Sequence, residues 1–482
     1  MENTTDDYKC NILIIGAGLS GLTSALSLSE KETGLSVNIM EATQTIGGQM
    51  RSSSLGEIGA KWITEDQCHI YRLLRRLNVP ISKRNSVAVR LKRCWEIDKG
   101  IFSSLVKYEL ERYIGELEVN IGKSKAGSKK SFSDLPMLSH IEKRLFFSAS
   151  RKYMTNLVLL ISGIQAQSIS YDDFMGICYT CGGLRNLIDL ISKCSRLYSV
   201  PNGLLEFSSR NLINEILTRL QNTKILYGRK ICELFQYRDQ VMVRDTQNVS
   251  YTAEVVILAL PWNKVQDIKF SPPLPRELQK IPTEVDIPKR VITSFLAKYK
   301  EAHWRSKGYT GQCLSLEPFL VAHEYRDATM CGQLIHKEGL EQTAHSIILH
   351  KLTECFGDEM LMPIEFFQHP FEMIALEHAP LTTAWHRVIW SSSDAAGTCF
   401  RGHLGGAVQS GYRAAINALL ITRPQVVVLQ DISEVQCLDY LPRSSPSWFC
   451  RLFSSWNLYN VSSYTAFICG LIVVLRCVVK KH

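Results

Sequence analysis

Asn11-Ile12-Leu13-Ile14-Ile15-Gly16-Ala17-Gly18-Leu19-Ser20-Gly21 is the stretch from which the fold is read. Its first five residues form a short, mostly β-branched run, the pattern of a strand buried on both faces. The residues that follow, Leu22 to Glu30, carry small and apolar side chains at Ala25, Leu26 and Leu28 and read as a helix. A second strand, Val37-Asn38-Ile39-Met40, ends at Glu41, 20 positions after Gly21. Strand, glycine turn, helix, strand and acid in that order predict a βαβ unit built for a dinucleotide. Gly16 permits the tight turn, Gly18 lets the backbone approach a pyrophosphate, and Gly21 lets the helix close on the strand. The helix N-terminus offers N–H groups and a partial positive charge to phosphates, and Glu41 accepts hydrogen bonds from a ribose.

Around this unit lie 482 residues, 45% hydrophobic and 21% charged. That composition excludes a disordered chain and a polytopic membrane protein, and the length suits two or three domains. The formal net charge is +9. Arg443, Arg451, Arg476, Lys480 and Lys481 carry five of those charges in a tail without acids, so the body is nearly neutral and no nucleic-acid surface is expected. Fifteen cysteines behind an acidic N-terminus, Met1-Glu2-Asn3-Thr4-Thr5-Asp6-Asp7, read as free thiols in a reducing compartment. Cys178-Tyr179-Thr180-Cys181 has the spacing of half a metal site, but no second pair accompanies it, so no metal is expected. The Gly/Ser/Lys-rich stretch Gly122 to Lys130 reads as a solvated loop, and no internal repeat is evident.

Beyond Glu41, a second glycine turn follows at once in Thr43-Gln44-Thr45-Ile46-Gly47-Gly48-Gln49-Met50-Arg51, then Leu55-Gly56-Glu57-Ile58-Gly59-Ala60 and a helix from Cys68 to Leu77. Far downstream come a buried strand, Val255-Val256-Ile257-Leu258-Ala259-Leu260-Pro261, and the stretch Tyr299-Lys300-Glu301-Ala302-His303-Trp304-Arg305. Near the C-terminus stand Trp390-Ser391-Ser392-Ser393-Asp394 and Gly402-His403-Leu404-Gly405-Gly406-Ala407, opening a helix with small residues at Gly411, Ala414 and Ala418. On these motifs the chain resembles the flavin-containing amine oxidases, and closely the monoamine oxidase branch, over roughly residues 10–425.

The resemblance implies an α/β fold in which an FAD-binding, Rossmann-like domain (10–78, 203–285 and 386–425) is interleaved with an α+β substrate domain (79–202 and 286–385). It implies FAD contacts at Gly16, Gly18, Ser20, Gly21, Glu41, Ala42, Gly48, Ile231, Asp394 and Leu404, with the helix after His403 aimed at the flavin ring. The implied substrates are a small-molecule amine and dioxygen, and a homodimer is compatible with the family. A nicotinamide dehydrogenase is disfavoured by the C-terminal glycine-rich helix.

Several family features are altered. The arginine of the second glycine turn is Gln49, and Arg51 is the nearest stand-in for its charge. The lysine held near the flavin becomes Thr293 or Ser294, depending on a one-residue gap. Lys298 lies about 13 Å along the same strand face as Ser294 at about 3.3 Å per residue, too far to replace it. One caging tyrosine becomes His403, which keeps a flat ring and adds a titratable nitrogen. The segment for a covalent cysteine and second tyrosine is shortened between Met373 and Asp394, by divergence or by splicing. The flavin is therefore expected to be non-covalent, with Cys399 the nearest rival thiol, and catalytic roles fall to His403 and Ser294 with weak turnover. The competing reading is a catalytically degenerate, membrane-anchored flavin-binding or interaction protein.

Residues 426–457 read as a linker and 458–479 as a C-terminal membrane anchor. As a helix this span measures about 33 Å, enough to cross a bilayer. Arg476 can snorkel towards Lys480 and Lys481, and Trp448 and Trp456 precede the span as interfacial anchors. A last-in-chain span with basic flanks resembles outer mitochondrial membrane anchors, leaving the body in the cytosol. The endoplasmic reticulum membrane is the alternative.

Overall fold

The computed structural model describes residues 8–31, 33–60, 62–83, 102–123, 135–185, 187–188, 205–279, 290–309, 311–371, 379–397 and 400–436. The first sheet takes β1 (Lys9–Ile15), β2 (Val37–Met40), β3 (Lys224–Leu226), β4 (Ile231–Gln236), β5 (Val241–Asp245), β6 (Ser250–Leu258) and β7 (Lys269–Ser271). A second sheet takes β8 (Arg290–Lys298), β9 (Cys313–Leu316), β10 (Phe319–Arg326), β11 (Thr329–Lys337) and β12 (Glu365–Phe371). The chain then returns to the first sheet with β13 (Val388–Trp390), parallel to the end of β6. The order of the first sheet is β7-β4-β5-β6-β1-β2-β3, so β1 is central and runs parallel to both neighbours.

The apolar run of β1 explains its position. Ile12 and Ile14 face one core and Leu13 and Ile15 the other, all buried. Each such side chain contributes about 2 kcal/mol of transfer free energy. The first face is covered by α1 (Leu19–Ser29), α2 (Cys68–Arg76), α7 (Ser209–Leu217) and α9 (Leu404–Thr422). Helices α3 (Ser104–Lys123), α4 (Met137–Arg144), α5 (Ser148–Ser162) and α6 (Tyr171–Thr180) build a separate core that closes on Ile292, Leu314, Val321 and Ile335 of the second sheet. Its other face is covered by α8 (Glu341–Phe356) through Ala344, Ile348 and Leu352.

Helix α1 packs against α9 at backbone distance. A Cβ added to Gly411 would lie 2.6 Å from the Ser20 carbonyl oxygen, so the small-residue stripe read from α9 is a packing requirement. Across this contact Ser24 Oγ donates to Gly411 O (3.1 Å); Ser20 Oγ donates to Ser391 O (2.8 Å) and the Ser24 and Ser391 hydroxyls meet at 3.2 Å, which ties α1 to the end of β13 as well.

The α/β class and the interleaved course of the chain follow the expectation. One expected helix, from about Leu145 to Ser168, is shorter: α5 ends where Gly163 turns left-handed at φ 69°. The stretch read as a linker from residue 426 begins with a helix, α10 (Leu429–Gln436), held by Lys31 to Asp431 at 2.7 Å and by Gln409 Nε2 donating to Val435 O at 3.1 Å. The expected anchor, 458–479, lies outside the described residues; among the described residues no helix is long and apolar enough to cross a membrane.

Candidate active site

The turn between β1 and α1 is shaped by two glycines against the protein itself. Gly16 has φ 105°, and a Cβ there would meet the Ala259 carbonyl oxygen at 2.5 Å; a Cβ on Gly21 would lie 2.0 Å from the Gly16 oxygen. Gly18 is different. Its φ of −76° suits any residue, and the nearest atom to an added Cβ is the Gly48 Cα at 3.8 Å. The fold itself therefore does not demand glycine at this position, whereas a close-approaching pyrophosphate would.

Neither helix facing this region is capped. Gly18 before α1 and His403 before α9 make no side-chain cap, and neither first turn holds an acid. The first-turn N–H groups thus lack intrahelical acceptors and carry the positive end of each helix dipole. Such a donor set fits a dinucleotide, with phosphate at α1 and a flat ring near α9.

Glu41 closes the nucleotide end. Its Oε2 accepts the Ala17 N–H (2.9 Å) and its Oε1 the Thr43 N–H and hydroxyl (both 2.9 Å), which hold the carboxylate at the sheet edge beside exposed Ala42. The Glu41 N–H donates to Leu226 O (2.8 Å) and the Arg229 N–H to Glu41 O (2.9 Å), bringing in the strand that starts at Ile231. The Gly47 N–H donates to Ala17 O (2.8 Å), so Gly48 lies beside the first glycine turn. Arg51 Nη1 donates to Thr45 Oγ1 (2.5 Å) on that same turn.

Two expected cofactor residues have structural partners. The Ser20 hydroxyl is committed to Ser391 O, leaving its first-turn N–H facing outward from the helix end. Asp394 is buried and its Oδ2 accepts the Trp262 N–H (2.9 Å), joining the β6 exit to the approach to α9. Leu404 opens α9.

Register puts the two residues expected at the lysine position, Thr293 and Ser294, on opposite faces of β8. Thr293 shares a face with Phe295 and Ala297, which pack under α8, and its hydroxyl meets His336 Nε2 at 2.9 Å. Ser294 lies on the opposite face with Leu296, which packs on Ile58 of the cofactor side. Its cross-strand neighbours are Gln333 and His369, and His369 Nε2 meets Gln49 Oε1 at 3.0 Å. Sequence alone missed His369 as the partner of the residue that replaces the family arginine. Lys298 Nζ donates to Asp327 O (2.8 Å), away from Ser294.

His403 is half-buried, with Nδ1 3.9 Å from Cys181 Sγ and Nε2 shut from solvent without a partner among the described residues. Gln67 Nε2 reaches the same sulfur at 3.6 Å. Cys181, read as an ordinary thiol, thus borders the site, whereas burial pushes the Cys178 thiol well up. Burial lowers His403 to a pKa of about 4, so it is a neutral ring at pH 7. Cys399 lies outside the described residues.

The family model for flavin containing amine oxidoreductases matches residues 19–332. The chain belongs to that family. Its cofactor is FAD, and the donor set above suits it. Human amine oxidase [flavin-containing] B is 23% identical over 464 residues, covering 84% of this chain and 85% of that protein. The flavin-containing amine oxidase of Oncorhynchus mykiss is 25% identical over 527 residues, covering 98% and 96%. Among solved structures, putrescine oxidase bound to putrescine superposes with a TM-score of 0.64 at 19% identity, covering 86% of this chain and 99% of that one. Cyclohexylamine oxidase from Brevibacterium oxydans gives 0.65 at 19% identity, covering 86% and 100%. In this divergent oxidoreductase, a neutral histidine and a serine occupy the positions discussed above.

The His403 environment makes stability depend on pH. Its folded pKa of about 4 lies below the ordinary 6.5, so the unfolded chain takes up the proton first as pH falls. Stability present above about pH 6.5 is then lost towards pH 4, on the order of 1–3 kcal/mol. Thermal melts should show a steeper fall between these pH values for the native chain than for His403→Phe. Parallel falls would show that His403 is not enclosed.

Proposed function

We propose that this chain is an FAD-dependent oxidase of a primary or secondary monoamine, with weakened turnover. FAD would supply the redox chemistry, two-electron oxidation of the amine to an imine with dioxygen reduced to hydrogen peroxide; water then hydrolyses the imine to aldehyde and ammonia, or to aldehyde and a primary amine when the substrate is secondary. The protein's part is to hold and orient. The room beside Gly18 at the uncapped start of α1 carries this reading, with Gly16, Gly18, Ser20, Gly21, Glu41, Ala42, Gly48, Ile231, Asp394 and Leu404 assigned to the cofactor.

Weak turnover is inferred from the amine side. Ser294 offers a short hydroxyl where the family holds a lysine, and Lys298 is tied to Asp327 O. His403 is neutral and cages an amine less closely than a tyrosine. Lost positioning and electrostatic contacts of this kind cost orders of magnitude in rate. The second reading, a flavin-holding interaction protein without turnover, is favoured by the same substitutions. FAD is assigned as non-covalent because the segment that should present a thiol is short. The anchor at 458–479, a body facing the cytosol at the outer mitochondrial membrane or the endoplasmic reticulum, and a homodimer complete the proposal.

Purified full-length chain should be yellow, release its flavin into the supernatant on acid precipitation, and give peroxide from aromatic monoamines at least about a hundredfold slower than an ordinary monoamine oxidase. Ser294→Lys should recover part of the rate. Colour held in the acid pellet would refute the non-covalent assignment, and ordinary turnover would refute the role of Ser294.

Membrane attachment is tested separately by ending the chain after Gln436, which keeps α10 in place. The full chain should sediment with membranes and the shortened one remain in the supernatant. Equal sedimentation of both would rule out the anchor.

A further inference from the structure

We propose that Cys313 and Cys355 form a reversible disulfide site, closed by hydrogen peroxide and opened by thiol reductants. The two sulfurs lie 2.8 Å apart, across 42 residues of sequence. That is inside ordinary contact for two unbonded sulfurs, and closing to a bond of about 2.05 Å takes less than an ångström of movement.

Both sides of the pair are held by regular structure. Cys313 begins β9, opposite Ala322 of β10 in an antiparallel register, and is buried. Cys355 is in the last turn of α8, which packs through Ile348, Leu352 and Phe356 on the core that includes Cys313. The end of α8 is fastened in turn, since Lys307 Nζ donates to Phe356 O (2.9 Å) and to Glu359 Oε2 (2.6 Å). The approach therefore belongs to a strand and a helix packed on one core. A disulfide there would staple α8 to the sheet that carries Ser294.

The two thiols are unequal. The contact with Cys355, followed by burial, pushes the Cys313 thiol well above its usual range, so it stays protonated. Cys355 is only partly buried where Cys313 is fully buried, which makes it the sulfur expected to meet a small oxidant first. As its thiolate, Cys355 attacks one peroxide oxygen; the O–O bond breaks, water leaves after protonation, and a sulfenic acid remains. The Cys313 sulfur then attacks the sulfenic sulfur, giving up its proton, and the S–O bond breaks with loss of a second water. Two thiols and one peroxide give one disulfide and two waters. Peroxide is the product of the proposed amine oxidation, but the site needs only that peroxide reach it. In a reducing compartment the bond is transient.

The test uses full-length protein reduced with dithiothreitol, desalted and treated with added hydrogen peroxide, so its outcome is independent of amine turnover. Unreduced proteolysis and mass spectrometry should find the Cys313 and Cys355 peptides joined with loss of two hydrogens, and dithiothreitol should separate them without denaturant. In Cys355→Ala, Cys313 should stay open to alkylation after unfolding. Both thiols remaining alkylatable after peroxide, either one paired elsewhere, or a link that dithiothreitol opens only in denaturant would overturn the assignment.

Discussion

The contact between α1 and α9 is the constraint on which the site depends. Ser24 and Gly411 are 387 positions apart in sequence, yet the Ser24 hydroxyl bonds the Gly411 carbonyl across the two helices, while Ser20 and Ser24 hold the end of β13 through Ser391. Hydroxyls that bond to backbone oxygen let helices approach where larger side chains would hold them apart. The consequence is electrostatic as well as steric. The uncapped N-terminus of α1 lies against α9 about two turns from that helix's own uncapped N-terminus, and the partial positive charges of the two ends can act on a single long anionic ligand. Glu41 and Asp394 use their carboxylates on backbone N–H groups of the surrounding turns, which fixes the loops through which that ligand would pass.

The opposite wall is less conservative. The second sheet presents Gln333, Ser294 and His369 as a cross-strand row on the face that carries Leu296, and His369 is linked to Gln49. Two positions that depart from the family pattern, Gln49 and Ser294, are thus connected through one histidine. A lysine would place a long cation in this row, whereas serine leaves a neutral hydroxyl. His403 adds no charge at pH 7, because burial keeps its ring neutral. Retained cofactor geometry beside a neutralised amine wall is the physical content of the proposed function.

The βαβ unit was legible because its signals are local: an apolar run, three glycines and an acid within thirty-one residues from Asn11 to Glu41. Which face of β8 carries Thr293 and which Ser294 was not, since a one-residue shift exchanges the two faces of a strand and only pairing with β11 and β12 fixes the phase. Nor could sequence show that the Ser20 hydroxyl serves Ser391, or that Cys181 meets His403, because those contacts join distant segments. Nor does reading along the chain show that α10, at the start of the stretch read as a linker, is held by Lys31 and Gln409, since those contacts too join distant segments.

The central claim is that the first glycine turn is shaped for a ligand and not only for the fold, and Gly18 separates the two. Gly16 and Gly21 are needed by the protein, while a Cβ at Gly18 has room beside Gly48. The decisive measurement is FAD affinity and thermal stability of the flavin-free Gly18→Ala chain beside the unaltered chain. The account predicts a melting temperature changed by no more than about two degrees, as for a cap change of under about 1 kcal/mol, with FAD binding weakened at least about tenfold. Equal FAD affinity in the two chains would contradict it.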